Sequence, residues 1–304
     1  MSFRDLYDLS YHILGTGTTG TVHYGTEIRT NRAVAIKVLD KKQVKFDPET
    51  FKYESELVLS LCHPNIARVH GFYESWDRVY IVQELCTGGD IFTYVIERKY
   101  YSEDDARGLV RQICQALCYL HSRNIAHLGI KPENLLMQPT QGESREFNST
   151  VKLIDTMLSQ YLHGGPPELQ THYIAFASPE VLQKRPYSTE PDVYAMGVTT
   201  YLLLGGILPF DETEDKAEII TKKENKDWAF ASPNFDGIST EAKDFISRCL
   251  DPDPTTRITS FEALRHPWIC NPPPHIVPLS GTQSQLERYL ASLKFRALVR
   301  ASDS

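Results

Sequence analysis

The sequence predicts an α+β fold in which a small β-rich lobe precedes a larger helical lobe. Up to about residue 84, short runs rich in β-branched and aromatic residues lie between Gly, Asn and Asp turns, which is typical of strands. From Ser102 onward, apolar residues recur at spacings of three and four, which indicates helices. The length of 304 residues is sufficient for one large domain or for two lobes.

Four strands and one helix are predicted in the first lobe. The helix lies in DPETFKYESELVLSL, where Phe51, Leu57 and Leu61 recur at helical spacing after an Asp-Pro start signal. The strands are predicted in the runs YHILG, TVHYGTEI, RAVAIKVLD and RVYIVQEL.

The second lobe opens with a well-marked helix. SEDDARGLVRQICQALCYLHS begins on a Ser-x-x-Asp capping box, and Leu109, Ile113, Leu117 and Leu120 follow one helical face. The polar stretch PTQGESREFNST predicts a surface loop between the short strands LLMQ and VKLID. The prolines of HPWICNPPPH end the last globular helix, and an amphipathic helix is predicted over residues 284–300.

The composition argues against several classes of function. The net charge is −7 and no block of five like charges occurs, so neither nucleic-acid binding nor a polybasic membrane anchor is expected. No apolar run reaches the roughly 18 residues that span a membrane. The six cysteines have no CxxC spacing and no secretory leader is recognised, so we expect reduced, buried thiols in a cytoplasmic protein. The expected partner is a protein or a small molecule.

A glycine-rich run, GTGTTGTV, lies between two predicted strands. Glycines let backbone N–H groups approach phosphates closely, although a glycine-rich hairpin without a ligand explains the run equally well. Lys37 follows on the next predicted strand, in VAIK, where a cation could reach phosphates under the loop. Glu54 and Glu56 lie on the following helix, and one of them could pair with Lys37 or be a plain surface residue.

Further along the chain come HLGIKPEN, Ile154-Asp155 and Ser178-Pro179-Glu180. In this order, and together with the glycine-rich run and VAIK, they resemble a eukaryotic protein kinase domain over about residues 8–269. HPNI, ELCTGGDIF, DVYAMGV, LPF and HPWI resemble the calmodulin-dependent kinase group. The resemblance implies a two-lobed protein kinase fold with an N-lobe at 8–84, a hinge at 84–88, a C-lobe at 89–269 and a tail at 270–304.

The same resemblance implies a site for ATP. Lys37 would contact the α- and β-phosphates and pair with Glu54, and Asp90 would lie near the ribose. Gln83 would lie behind adenine, where an apolar residue or threonine is more usual. The other implied residues cover the phosphates, sandwich adenine or form the hinge: Gly15, Gly17 and Gly20; Leu14, Val22, Ala35 and Leu136; Glu84 and Cys86.

Other matching positions are implied to bind metal or to support the fold. Asn134 and Asp155 would hold Mg²⁺. Glu180 and Arg257 would form a buried ion pair, and Asp192 would tie HLGIKPEN to the following helix. In an unrelated fold, these last three residues would be plain surface charges.

The chain departs from the family's pattern at four positions on the substrate side of the site. Gly129 stands where the family carries the aspartate that accepts the hydroxyl proton of the substrate, so no residue is assigned as catalytic base. Leu128 replaces the arginine that would pair with an activation-loop phosphate, so switching by that phosphorylation is not expected. Met157 replaces the glycine of Asp-Phe-Gly, and Tyr173 replaces a threonine that contacts the base and a lysine.

These departures favour a pseudokinase, which binds ATP and Mg²⁺ but transfers little or no phosphate and acts in signalling as a scaffold or allosteric protein-binding module. The chain would then not be an enzyme. The alternative is a divergent, weakly active serine/threonine kinase in which Glu133 or Asp155 assists the proton transfer. For the C-terminal helix, the alternatives are a regulatory segment, which folds back on the large lobe or binds calmodulin, and a plain packing helix or disordered end.

Overall fold

The computed structural model describes residues 2–17, 20–42, 48–139, 149–156, 174–211, 214–272 and 278–302. These residues form two compact units. The first contains the described residues up to 88 and those of 136–156, and the second contains residues 89–135 and the described residues from 174 onward. The first is built around a sheet and the second around helices, which confirms the predicted α+β class.

A five-stranded antiparallel sheet, two helices and a two-stranded sheet make up the described part of the first unit. In chain order, its elements are α1 (Phe3–Leu6), β1 (Tyr7–Gly17), β2 (Gly20–Glu27), β3 (Arg32–Asp40), α2 (Pro48–Ser60), β4 (Val69–Glu74), β5 (Arg78–Glu84), β6 (Leu135–Pro139) and β7 (Ser149–Leu153). The large sheet has the order β1-β2-β3-β5-β4, and β6 pairs with β7. The predicted strands and α2 are confirmed, although β1 is longer than YHILG at both ends.

Strand β3 contributes to a hydrophobic cluster on each face of the sheet. Val38 packs with Phe3 on one face, whereas Leu39 packs with Phe51 of α2 on the other. Because successive residues of a strand point to opposite faces, Lys37 lies on the face of Leu39. The face that α2 covers is therefore also the face that carries the predicted phosphate-binding cation.

The sequence pattern does not predict α1 or β4. Helix α1 has only four residues, too few for helical periodicity, and it is fixed by the Phe3 ring, which stacks on Tyr80 at a centroid distance of 4.2 Å. Strand β4 has Gly71 at its centre, and glycine weakens an isolated strand signal. A Cβ at Gly71 would lie 2.8 Å from the Tyr73 ring, so packing within the formed sheet accounts for the glycine.

Helices make up the second unit in the part of the chain that the structure describes. They are α3 (Ile91–Ile96), α4 (Glu103–His121), α5 (Pro179–Leu182), α6 (Glu190–Gly205), α7 (Lys216–Glu224), α8 (Thr240–Cys249), α9 (Ser260–Leu264), α10 (Pro267–Cys270) and α11 (Ser280–Ser302), with a 3₁₀ turn at Pro132–Asn134. The predicted capping box is confirmed, since the Asp105 N–H donates to Ser102 Oγ (3.3 Å) and the Ser102 N–H donates to Asp105 Oδ2 (2.7 Å).

The first half of α11 packs against α3 and α6. Leu286 is fully buried, and the Tyr289 ring meets Phe92 of α3 edge-on at 6.2 Å. The Gln283 Nε2 donates to two carbonyl groups at and just after the end of α3, at 2.9 and 2.8 Å. The helix begins four residues before the predicted start at 284, and the alternative of a disordered end is wrong for this half.

Gly206 makes the contact between α6 and α11 close. It ends α6 with a φ of 72°, in the left-handed region that favours glycine. A Cβ at this position would lie 2.6 Å from Gln285 Cβ, and Thr282 Oγ1 donates to Leu204 O at 2.7 Å. Any larger residue at 206 would therefore separate the two helices.

All six cysteines are free thiols. Cys114 and Cys249 are buried as expected, but Cys62 and Cys270 are exposed, so the expectation of buried thiols is wrong for those two. Among the described residues, no group of three or more His, Cys, Asp and Glu side chains could hold a metal ion. None of the helices in this part of the chain combines the length and hydropathy that a membrane span requires.

Candidate functional site

The predicted site residues fall in both compact units. Most of the implied nucleotide-binding residues lie in the sheet unit, whereas Asp90 and the loop HLGIKPEN, which we call the 127–134 loop, lie in the helical unit. Met157 and Tyr173 lie outside the described residues, so their predicted effects stay predictions.

Strands β1 and β2 carry the glycine-rich run at one end of the sheet. Gly15 pairs with Val22, and Gly17 pairs with Gly20. The fold itself requires glycine at position 20, because a Cβ there would lie 2.0 Å from the Val38 carbonyl oxygen. At Gly15, a Cβ would meet no described atom within 4 Å. Packing therefore explains Gly20, whereas Gly15 borders open space.

Lys37 is held in β3 opposite Val22 of β2 and Ile81 of β5. Its side chain is 8% exposed, and its Nζ lies 2.9 Å from Asp155 Oδ2. Asp155 comes just after β7 and has a φ of 62°, which is uncommon for a residue other than glycine. The ion pair joins the residues that the resemblance assigns to phosphate and to metal.

Helix α2 presents its two candidate glutamates differently. Glu54 is buried, whereas Glu56 is exposed. Since Phe51 of the same helix packs on the face of the sheet that carries Lys37, Glu54 is the better placed of the two for a buried role. The predicted ion pair between Glu54 and Lys37 stays a prediction.

The four residues implied to sandwich adenine lie in or beside strands of the sheet unit. Ala35 is buried and faces Gln83 across the β3–β5 pair. Val22 and Leu136 are half-buried, and Leu14 is 43% exposed. Three of the four therefore keep apolar surface that a ligand could cover.

The segment 84–88 is fastened to β6 and β7. The Glu84 carboxylate pairs with Lys152 at 2.9 Å, and the Gly88 N–H donates to Met137 O at 2.8 Å. A Cβ at Gly88 would lie 2.6 Å from that oxygen, so glycine permits the close approach. No described residue accepts a hydrogen bond from the Cys86 N–H. Burial, and then the nearby Glu84 carboxylate, raise the pKa of the Cys86 thiol to about 12, so the thiol stays neutral.

Gly129 is held on both sides within the 127–134 loop. Its N–H donates to His127 Nδ1 at 3.1 Å, and its carbonyl oxygen accepts from Asn134 Nδ2 at 2.9 Å. Because a carbonyl oxygen only accepts hydrogen bonds, the Asn134 atom that faces it must be the nitrogen. The Asn134 Oδ1 is therefore not used in this bond, and the predicted contact of Asn134 with Mg²⁺ stays a prediction.

Asp192, near the start of α6, anchors the 127–134 loop, as predicted. The carboxylate is fully buried and accepts from the N–H groups of Leu128 and His127, both at 2.7 Å, and from His121 Nε2 at 3.0 Å. Burial opposes its ionisation, but the hydrogen bond and charge of His121, with those of the loop, hold its pKa below the ordinary value. Leu128 has a φ of 56°, a conformation that costs about 1–2 kcal/mol, which the anchor offsets.

Asp90 caps the N-terminus of α3, and both of its carboxylate oxygens accept hydrogen bonds there. Its Oδ1 accepts from the N–H groups of Phe92 and Thr93, at 2.9 and 3.0 Å, and its Oδ2 accepts from Thr93 Oγ1 at 2.6 Å. These bonds at the N-terminus of α3 account for the residue without a ligand. The predicted contact with ribose stays a prediction.

Comparison with known proteins gives the same family for most of the chain. Residues 9–269 match the family model described as protein kinase domain. Calcium/calmodulin-dependent protein kinase type IV from Mus musculus is 34% identical over 292 residues, which are 95% of this chain and 60% of the relative. Calcium/calmodulin-dependent protein kinases type 1 from Macrobrachium nipponense and Caenorhabditis elegans are 34% and 32% identical, over 95% and 99% of this chain and 83% and 85% of the relatives. The chain thus spans 60% of the length of the type IV kinase.

The expectation that the chain is not an enzyme is wrong. It rested on Gly129 and three other departures, whereas relatives that share 32–34% identity over nearly the whole chain are named as protein kinases. A missing general base lowers a rate by about 10²–10⁴-fold and does not by itself abolish the reaction. Positioning and electrostatic stabilisation supply most of the catalysis in phosphoryl transfer.

The match to the family model extends over both compact units, from the glycine-rich strands to α10. The similarity to calcium/calmodulin-dependent kinases continues beyond it into the tail. The chain therefore belongs to the eukaryotic protein kinase family, in the calcium/calmodulin-dependent kinase group.

Proposed function

We propose that the chain is a divergent serine/threonine protein kinase, which binds ATP with Mg²⁺ and transfers the γ-phosphoryl group to a protein hydroxyl at a low rate. The observation that carries the proposal is the ion pair of Lys37 and Asp155, at 2.9 Å. In this pair a nearly buried cation lies beside a carboxylate, and the proposal assigns phosphate to the cation and a metal ion to the carboxylate. The names of the relatives support the same class of reaction.

Phosphate binding is assigned to Lys37 and the glycine-rich run. Lys37 is nearly buried, and a charge in such surroundings attracts an anion more strongly than a charge in water does. A buried charge also needs a partner, and Asp155 supplies one in the absence of nucleotide. The open space at Gly15 leaves room for a phosphate near the backbone.

The residues present suit Mg²⁺. This ion prefers oxygen ligands, usually one or two carboxylates together with phosphates and water. The Asp155 carboxylate and the Asn134 Oδ1 are ligands of that kind, and the bound ion would neutralise charge on the phosphates. Asp155 lies in the sheet unit and Asn134 in the helical unit, and each is proposed as an oxygen ligand on the basis of its own chemistry.

The rate is expected to be low because position 129 carries no carboxylate. A proton acceptor for the substrate hydroxyl would be water or a neighbouring acid such as Glu133, which is exposed in the 3₁₀ turn. Ordinary kinases turn over at ~1–100 s⁻¹, and the loss of a general base costs ~10²–10⁴-fold. We therefore expect a turnover of about 10⁻⁴ to 1 s⁻¹.

A thermal-shift titration of the full chain tests nucleotide binding. ATP with Mg²⁺ is expected to raise the melting temperature of the wild type and of Lys41→Met, but not that of Lys37→Met. Lys41 is the matched control, because it lies one residue beyond β3 and pairs with Glu74 at 2.8 Å instead of Asp155. A wild type that shows no shift up to millimolar ATP would contradict the proposal.

Transfer is tested separately with ATP labelled at the γ-phosphate. The wild type is expected to label itself or a general protein substrate faster than Lys37→Met does, with both proteins purified in parallel. Equal, background-level labelling by the two proteins over several hours would overturn the transfer reaction. That outcome would not affect the conclusion of the thermal-shift titration on ATP binding.

A protein partner is also part of the proposal, and calmodulin is the candidate. The relatives are named as calmodulin-dependent, and α11 carries Arg288, Lys294, Arg296 and Arg300. Basic amphipathic helices are typical calmodulin targets. A titration of the full chain with calmodulin, with calcium and with a chelator, is expected to give calcium-dependent binding. Binding that is absent under both conditions would contradict this partner.

A further inference from the structure

Gln83 is an unusual residue for its position in the sheet unit. It is the next-to-last residue of β5, and its cross-strand neighbours are Ala35 on β3 and Val69 on β4. Only 5% of its surface is exposed. A carboxamide is therefore buried between two apolar neighbours.

The register of the strands fixes the face on which this carboxamide lies. Cross-strand partners share a face, so Gln83 lies with Ala35, and Ile81 lies with Lys37. Residues two apart on a strand also share a face. Gln83 consequently lies on the same face of the sheet as Lys37, which pairs with Asp155.

The Gln83 carboxamide makes no hydrogen bond with any residue that the structure describes. The polar atoms of this carboxamide are nevertheless not completely inaccessible to solvent, so a ligand can reach them. An amide that is fully sealed without a partner costs about 1–3 kcal/mol, and the largely buried Gln83 amide bears part of this cost. An apolar side chain of the same length would suit this position better unless a ligand completes the hydrogen bonding.

We infer that Gln83 selects the base of the nucleotide, with its Oε1 accepting a hydrogen bond from the exocyclic amine of adenine. This inference rests on the proposed function and adds a specificity-determining residue to it. Strand β5 runs directly into the segment 84–88, where the Cys86 N–H is available to a ligand. A base bound there lies next to the strand end that carries Gln83, and Lys37 on the same face is the cation for the phosphates.

The hydrogen-bonding groups of the carboxamide and of adenine explain why Gln83 would select this base. The amine at carbon 6 of adenine offers only hydrogen-bond donors, and the Oε1 of glutamine is an acceptor. A purine with hydrogen at that carbon leaves the buried carboxamide unpaired. Sites built to hydrogen-bond a substrate group reject analogues without the group because their own polar atoms then lose a partner.

The experiment measures the Kd of ATP and of purine riboside triphosphate, which lacks the amine, for the full chain with Mg²⁺ by calorimetry. The wild type is expected to prefer ATP, and Gln83→Met is expected to reduce that preference about tenfold. Gln112→Met is the control, because its carboxamide already donates to Gly108 O on α4, at 3.4 Å. This control is expected to keep the wild-type preference.

The outcomes separate this inference from the proposed function. If the wild type binds ATP but Gln83→Met leaves the ratio of the two Kd values unchanged, Gln83 does not select the base, whereas the kinase proposal stands. If the wild type binds neither nucleotide, both fail. Without nucleotide, Gln83→Met is expected to melt at or above the wild-type temperature, since it removes an unpaired buried amide. A clearly lower melting temperature would assign Gln83 a structural role instead.

Discussion

Arg257 and Glu180 form a bidentate ion pair inside the helical unit, with Nη1–Oε1 and Nη2–Oε2 distances of 2.6 and 3.0 Å. Their side chains are 0% and 1% exposed. The guanidinium also donates to the carbonyl groups of Glu190 (3.0 Å) and Asp251 (2.8 Å). The pair therefore joins the segments around α5, α6 and α8, and it confirms the sequence prediction of a buried ion pair.

Arg257→Ala is expected to lower the free energy of unfolding by about 3–5 kcal/mol, because it leaves a buried carboxylate without its partner. Urea denaturation of the full chain measures the change. Arg185→Ala is the matched control, since Arg185 is 48% exposed and lies 3.7 Å from Glu224. That change is expected to cost about 0–1 kcal/mol. Equal losses in the two variants would show that burial of the Arg257 pair is not what stabilises the unit.

The stability of the helical unit is expected to fall on the acid side. Burial opposes the ionisation of Glu180 and Asp192, but Arg257 and His121 respectively hold their pKa values below the ordinary 4.5 and 3.8. A group whose pKa is lowered by folding stabilises the protein above its ordinary pKa, and this stabilisation is lost as the pH falls through the lowered pKa. Urea midpoints measured from pH 7 to pH 3 are therefore expected to be level at first and then to drop. A midpoint that rises on acidification would refute this assignment.

Gly129→Asp is expected to raise kcat by about 10²–10⁴-fold, because it restores a carboxylate that can accept the hydroxyl proton. A Cβ at this position would lie 3.1 Å from Asn134 Nδ2 and 3.3 Å from the His127 ring. The Asn134 contact is to the end of a side chain, which can shift by a few tenths of an ångström. The labelling assay described for the wild type measures the gain.

Gly129→Ala is the control for this experiment, since it adds the same Cβ without the carboxylate. It is expected to leave kcat near or below that of the wild type. If alanine and aspartate give the same rate, proton transfer is not what limits the enzyme. The departures at Met157 and Tyr173 would then be the next positions to restore.

Leu286→Ala is expected to weaken the docking of α11 on the helical unit. Truncating a fully buried leucine costs about 2–5 kcal/mol. At 1.4 kcal/mol per factor of ten, the undocked fraction rises more than tenfold, which limited proteolysis of the tail can detect. Leu290→Ala, at a half-buried position on the same helix, is expected to have a smaller effect. Equal cleavage of the wild type and both variants would mean that Leu286 does not hold the helix.

The sequence predicts the fold well where the periodic pattern is strong. Helix α4 has a capping box and a regular apolar face, and its position follows from neighbouring residues alone. Strand β4 does not, because Gly71 interrupts its pattern and the strand forms through pairing with β5. Helix α1 is similar, since stacking of Phe3 on Tyr80 fixes it, and the two residues are far apart in the chain.

The candidate site was predictable only in part, because its contacts join distant segments. The resemblance assigns Lys37 and Asp155 to one nucleotide, yet no spacing indicates that they pair directly across 118 residues. Lys152 and His121, which hold Glu84 and Asp192, carry no signal in the sequence that distinguishes them from other basic residues. The interpretation of Gly129 failed for another reason: together with three other departures, it was taken to mean the loss of the reaction, whereas the relatives are named as protein kinases.

The anchoring of Leu128 and His127 by Asp192 has a consequence for how the 127–134 loop can evolve. The shape of the 127–134 loop is specified by a carboxylate on α6 that bonds only to backbone N–H groups of the loop. Because the anchor does not involve the side chains at 128 and 129, exchanging them is expected to require only small local shifts, such as that of Asn134 for a Cβ at 129. In such a loop, a substitution that changes the reaction rate need not change the stability of the fold. A lineage can lose the carboxylate at 129, keep a stable protein, and regain the carboxylate by later substitution at that one position.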